Sequence, residues 1–262
     1  VQVVQILANL LRGKFVAIFL GPVGMGMSAM YVAASTTIQK IASCGLGLAI
    51  VKEVAARKED EEGLKALTAI VSRLLLATAL LGALVCIVGA RWLSDMSFGN
   101  SDYTLAFMLL GAVVFFNIAG TGMQSVLQGV HDVKRLSRAT IVGSLTGLIT
   151  GVPLYWLFGN AGIVPAMLIL AVTLWAFYTR SVVKSLGGLG VKIEWRPHKA
   201  LVWQLFFLGA IFVSGEAISS LCTYVTTFFV REFGNLRTVG IWQAASSLTT
   251  QYSAVVFASM AM

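Results

Sequence analysis

Leu74 to Val88 reads LLLATALLGALVCIV, fifteen residues without a charge. With its flanks it forms an apolar stretch over 67–89, and about 20 such residues cross the ~30 Å hydrocarbon core of a bilayer. Working outward, similar stretches recur at 1–20, 27–51, 104–129, 139–158, 162–182, 201–229 and 239–262. About eight transmembrane helices predict an all-α, polytopic membrane bundle, because in lipid a helix satisfies its backbone polar groups within itself. Composition agrees. The 262 residues are 58% hydrophobic and only 11% charged, against about 25% charged in an ordinary soluble domain. The mean hydropathy is +0.86.

The breaks between spans carry the topology. Gly21-Pro22 ends the first span, Glu53 to Lys65 is a charged loop, and Arg91 to Tyr103 is polar. His131 to Arg138 is basic, Gly159-Asn160 is a tight turn, and Arg231 to Thr238 separates the last pair. One alternating set of loops holds twelve Lys and Arg residues and the other holds three, Arg91, Arg231 and Arg237. The richer side is cytoplasmic by the positive-inside bias. The net charge of +8 therefore reads as membrane topology and not as a nucleic-acid surface. The connector from Lys184 to Lys199, with three glycines and Pro197, reads as a linker. It divides the chain into a six-helix unit at 1–182, a cytoplasmic linker at 183–200 and two further helices at 201–262. Val1 opens inside an apolar stretch and Met262 ends without a polar tail, the pattern expected of a piece cut from a longer protein.

Polar residues at membrane depth are the informative ones. Gln2, Gln5, Asn9 and Arg12 follow helical steps on the first span, as do Asn117, Thr121, Gln124 and Gln128 on the fourth. Glu216, Ser220, Thr223 and Thr227 do so on the seventh, and Gln243, Ser247 and Thr250 on the eighth. The second span offers Tyr31, Ser35, Gln39 and Ser43 on one face, with Lys40 beside it. Residues at such spacing share a face. One stripe alone reads as helix–helix glue; five, accompanied by charges, predict a wet cavity. The spans holding Leu74 to Val88 and Ile163 to Ala176 are almost wholly apolar, so they are expected to face lipid or pack behind the others.

Lys40 lies about twelve residues from either end of its predicted span, roughly 18 Å, too far to snorkel comfortably. A bare ammonium there costs ~2.5–3.5 kcal/mol even on the lenient insertion scale, so it needs an anion or water. Arg12 continues the first polar stripe, whereas Lys14 points about 200° away on an ideal helix. Glu216 is the one acidic residue in the middle of a span. Two roles are open for it: neutralising a cavity cation such as Lys40, or taking up a proton or Na⁺ during a transport cycle. The candidate site therefore comprises Arg12, Lys14 and Lys40 as cations for an anionic ligand and Glu216 as coupling group or counter-ion. Asn9, Gln39, Asn117, Gln124, Gln128 and Gln243 are its polar lining. A diphosphate headgroup on a lipid tail suits such a cavity, since Lys and Arg bind phosphate well; nucleotides, organic acids or anionic drugs would fit its charge equally.

Catalytic chemistry finds no support. Cys44, Cys86 and Cys222 fall in apolar spans without CxxC spacing, and His131 and His198 are isolated in basic loops. No zinc motif, phosphate-binding Gly-Lys loop or nucleophile elbow appears. The sequence predicts a transporter without metal or cofactor.

Several short patches carry a family likeness. They are Gly13-Lys14-Phe15 with Leu20-Gly21-Pro22-Val23-Gly24, Asn100-Ser101-Asp102-Tyr103, and Gln128-Gly129 with Asp132. Ile141-Val142-Gly143-Ser144-Leu145 and Val239-Gly240-Ile241-Trp242-Gln243 complete the series. In this order the chain resembles the Wzx-type oligosaccharide-lipid flippases of the multidrug/oligosaccharidyl-lipid/polysaccharide exporter superfamily. The resemblance implies two six-helix lobes around a central cavity, with this chain holding the first lobe and two helices of the second. It implies flipping of an undecaprenyl-diphosphate-linked oligosaccharide, an O-antigen or related unit, across the bacterial inner membrane by alternating access. The implied partners are the lipid-linked oligosaccharide, membrane lipid and polysaccharide assembly machinery. Lys14 lies within a matching patch, so a family role carries to it; Lys40 and Glu216 lie outside the patches. A drug or metabolite exporter of the same superfamily and a membrane-embedded transferase of glycan assembly are the alternatives.

Overall fold

The computed structural model describes residues 2–57, 60–185 and 199–260. They are helical apart from short turns: α1 (Gln2–Ser43), α2 (Leu46–Ala56), α3 (Glu61–Val88), α4 (Ala90–Phe98), α5 (Thr104–Gly129), α6 (Val133–Phe158), α7 (Ile163–Ser185), α8 (Lys199–Phe233) and α9 (Leu236–Met260). The expected all-α membrane bundle is borne out. Among the described residues, four segments are long and apolar enough to cross a membrane: Leu10–Ser43, Glu62–Val88, Thr104–Gly129 and Val133–Ser185. The first is broken at Gly21 (φ 66, ψ −170), a conformation open mainly to glycine. The last is broken by the 3₁₀ turn Gly159–Gly162.

Contacts along α1 show that its two arms run in opposite senses. Arg12 reaches Tyr155 near the end of α6, and a β-carbon on Gly24 would meet the Asn160 side chain. From there the second arm leads past Phe98 and Phe107, which flank Tyr31 at ring separations of 5.2 and 5.4 Å. It ends with Ala42 beside Gly82. The turns predicted to share one side of the membrane do gather at one end of the bundle: Gly24 with Asn160, Gly26 with Leu236, and Gly99 with Arg231. Val54 meets Gly129 and Asp132 meets Ser185 at the other end, among the basic loops.

Three boundaries differ from those the sequence predicts. The single span expected over 27–51 is interrupted at Cys44 (φ 45) and Gly45 (φ 67), after which α2 carries the chain on to Ala56. The polar stretch after Arg91 is largely α4, a short helix with Ala90, Leu93 and Phe98 buried. Most of the basic stretch after His131 is the first turns of α6, whose N-cap is Asp132. Charge signals where helices leave lipid, not where they end.

Asp132 fixes that corner. It accepts from the Arg135 backbone N–H at 3.1 Å, from Arg135 Nη1 at 2.8 Å and from Ser185 Oγ at 3.1 Å, joining the start of α6 to the end of α7. Burial pushes its carboxyl up, but the Arg135 N–H, the Ser185 hydroxyl and the Arg135 charge together hold it below the usual carboxylate range.

Two apolar cores stack along the bundle. One, with Leu46, Ile50, Val54, Leu67, Val71 and Leu127, lies toward the basic loops. The other, with Met30, Tyr31, Phe98, Phe107 and Ile163, lies toward the opposite end. The two apolar spans divide as expected. α3 presents Leu80, Leu81, Leu84, Val85 and Val88 outward, whereas α7 buries Ile163, Val164, Ala166, Met167 and Ala171 behind its neighbours.

Candidate functional site

A cavity of about 280 Å³ opens beside the Cys44–Gly45 break. α1 contributes Gln39, Lys40 and Ser43; α5 contributes Thr121, Gln124, Ser125 and Gln128; α8 contributes Glu216. Helical spacing explains the convergence on α5. Thr121, Gln124 and Gln128 follow steps of three and four and so share a face. Leu75 and Ile118 close the apolar side.

Lys40 stands eighteen residues beyond Pro22 and sixteen before Ala56, the end of α2, and so about midway between the two ends of the bundle. Its ammonium is ion-paired with the Glu216 carboxylate. The two side chains are 42% and 53% exposed, so the pair lies open to the cavity and is not sealed in a dry core. One turn away, Thr37 Oγ1 donates to the Ser220 carbonyl at 3.2 Å. Two turns further down, a β-carbon on Gly209 would stand 2.3 Å from the Cys44 carbonyl oxygen. The second arm and α8 therefore run antiparallel in close register, with the ion pair between them.

The break adds a further polar element. Gly45 caps α2 in the left-handed conformation with no side-chain capping bond, and Leu46, Gly47 and Leu48 form part of the cavity wall. The first turn of a helix carries backbone N–H groups with no partner inside the helix, at the positive end of its dipole. The cavity thus offers an ammonium, side-chain amides and a helix start, with Glu216 as the carboxylate among its described lining; the Ser43, Thr121 and Ser125 hydroxyls already donate to backbone carbonyls of their own helices.

Of the residues singled out from the sequence, Gln39, Lys40, Gln124, Gln128 and Glu216 meet here. Asn117 is half-buried one turn above, where its carbonyl accepts from Thr121 Oγ1 at 2.8 Å. Gln243 is half-buried on α9, apart from the cavity lining. Arg12 lines a different crevice, of about 130 Å³, between α1, α6 and α7, where its Nε donates to the Tyr155 hydroxyl at 3.3 Å. Lys14 is exposed. The Asn9 side chain and most of the linker, 186–198, lie outside the described residues. The wall from Gly45 to Leu48 and Ser125 are the contributions that the sequence reading missed; Gly45 and Gly47 are the only local hint there, and glycine in an apolar run does not by itself mark a break.

These features define a multi-pass inner-membrane protein with a polar cavity at membrane depth. The chain belongs to the polysaccharide biosynthesis protein family, which matches it over residues 1–262. It is 28% identical over 270 residues to the Lipid III flippase of Escherichia coli (strain K12), a match covering 99% of this chain and 62% of the relative. The Lipid III flippase of Shigella flexneri matches to the same extent. The chain thus spans about three-fifths of the length of the curated relatives it matches. No solved structure matches it.

Proposed function

We propose that this chain forms the headgroup-receiving part of a flippase for a lipid-linked oligosaccharide, a transporter and not an enzyme. The observation that carries the reading is Lys40, a cation at membrane depth that opens onto a cavity lined by Gln39, Gln124, Ser125 and Gln128. A phosphate can satisfy such an ammonium and at the same time accept from neighbouring donors. The relatives named as flippases for a lipid supply the cargo class. In the finer form of the proposal, the cargo is an undecaprenyl-diphosphate-linked O-antigen or related polysaccharide unit, moved by alternating access. Residues 1–182 then form one lobe, 183–200 its linker, and 201–262 the first two helices of a second lobe.

Among the three cations named from the sequence, the reading gives the headgroup to Lys40. Arg12 and Lys14 stand outside that cavity. The test is flipping of a fluorescent polyprenyl-diphosphate glycan by the protein in proteoliposomes. Lys40→Ala is expected to slow flipping by roughly tenfold or more, the worth of a charge-assisted phosphate contact of about 1.5–3 kcal/mol. A normal rate in a folded Lys40→Ala variant removes the assignment. Transport of neutral or cationic drugs in place of the glycan lipid would favour the exporter alternative.

A further inference from the structure

We infer that Glu216 is a resident counter-ion, displaced from Lys40 by the arriving anionic headgroup and restored to Lys40 when the headgroup leaves. The inference rests on the flippase reading and names the step that resets its site. Three observations carry it. Glu216 is the carboxylate among the described residues that line the cavity, and it is paired with the cation that the cargo needs. Both partners line that space and are about half exposed, so a ligand reaches the pair without prying apart a packed core. The helices beneath the pair are held independently, by the Thr37–Ser220 hydrogen bond and the close passage of Gly209 past Cys44. Exchange therefore requires only the Glu216 side chain to swing away.

Charge explains why the carboxylate belongs there. A phosphate beside Lys40 has the same sign as Glu216, so the two compete for one ammonium and repel each other. Glu216 therefore weakens binding. In return it removes the cost of the empty state. Without it, each departing headgroup would leave the ammonium with only cavity water to offset its charge at membrane depth, where charge is disfavoured. A carrier must bind well enough to load and weakly enough to unload, and a self-supplied anion on a neighbouring helix meets both needs. Because the pair joins α1 to α8, its exchange also alters the tie between the first six-helix unit and the helices that follow.

The consequence is that affinity and turnover move in opposite directions. The Kd of the detergent-solubilised protein for farnesyl diphosphate, a soluble polyprenyl diphosphate, would be measured alongside glycan-lipid flipping in proteoliposomes. Glu216→Gln is expected to tighten binding roughly fivefold, the scale of an exposed ion pair, while slowing flipping. The tightening should shrink in a Lys40→Gln background, where there is no cation to compete for. Glu216→Asp keeps the charge and should retain weaker binding and faster flipping than Glu216→Gln. Inorganic pyrophosphate, titrated in parallel, should bind more weakly than the farnesyl compound but show the same tightening. Unchanged or weakened binding by Glu216→Gln, or tightening that is equal with and without Lys40, overturns the inference. Failure of the unmodified protein to bind either diphosphate overturns the flippase reading beneath it, a distinct result.

Discussion

Gly26 on α1 and Gly240 on α9 pack so closely that a β-carbon on Gly26 would stand 3.2 Å from the Gly240 backbone nitrogen and 2.0 Å from the Leu236 carbonyl oxygen. A β-carbon on Gly240 would stand 1.9 Å from the Pro22 carbonyl oxygen. The obstructing atoms are backbone, which cannot rotate aside. In membranes, where helix association relies on close packing and not on expulsion of water, small residues allow such approach. The contact lies at the end opposite the basic loops and holds α9 against α1. Gly240→Ala should force the helices apart and cost about 1–3 kcal/mol, as overpacking does. The measurement is the thermal unfolding midpoint in detergent. Stability equal to that of the unmodified protein would show that this contact does not hold the helices together.

The same geometry predicts where water reaches. Gln124 and Ser43 line the cavity, whereas Leu84 is 59% exposed on the outer face of α3, which is lipid-facing on the present reading. In a background with Cys44, Cys86 and Cys222 replaced, Gln124→Cys and Ser43→Cys should react with a charged thiol reagent, and Leu84→Cys should not. A thiol reacts as its hydrated thiolate, which lipid excludes. Labelling confined to Leu84→Cys would reverse the assignment of inside and outside faces.

A third prediction concerns the buried tie between α4 and α8. The Ser97 and Tyr224 hydroxyls share a hydrogen bond of 3.1 Å, and the two residues are 0% and 6% exposed. Tyr224→Phe leaves the Ser97 hydroxyl without that partner, at a cost of about 1–3 kcal/mol for an unsatisfied buried group. Ser97→Ala combined with Tyr224→Phe removes both partners and should recover part of the loss. Additive losses in thermal stability would argue against a direct bond.

Much of this arrangement was legible in the sequence because hydropathy and helical periodicity are local. Gly21-Pro22 and Gly159-Asn160 read as breaks, and both are. Lys40 reads as a cation that needs an anion or water, and Glu216 as either its counter-ion or a group that takes up a proton or Na⁺; the structure pairs the two. What periodicity does not supply is which neighbour a face meets. Arg12 continues a polar stripe and so looked like part of the same cavity, yet the first arm turns it toward Tyr155 on α6. The Cys44–Gly45 break was illegible for another reason. Without a proline, an apolar run containing glycine remains compatible with an unbroken helix, and here tertiary packing breaks it. The consequence is functional, because the break brings the start of α2 to the cavity wall.

The last prediction turns on pH, outside the membrane. Asp132 caps α6 and binds both Arg135 and Ser185, and its carboxyl is held below its ordinary value. Burial acts upward on it, and the hydrogen bonds and the Arg135 charge outweigh that effect. A carboxyl depressed in the folded state binds protons less readily than the unfolded chain does. Its stabilisation is therefore complete above the unfolded value, near pH 4, and is lost as pH falls through the folded one. At neutral pH, Asp132→Ala should cost about 1 kcal/mol through loss of the cap, and Asp132→Asn less, since the amide oxygen can still accept from the Arg135 N–H. The gap in thermal midpoint between the unmodified protein and Asp132→Asn isolates the charged contribution. It should stay constant from about pH 8 to pH 5 and close progressively on further acidification, starting near the unfolded value of about 4. A gap that widened on acidification would mean that the folded carboxyl is raised and not lowered, and the α6–α7 corner would then owe nothing to the charge of Asp132.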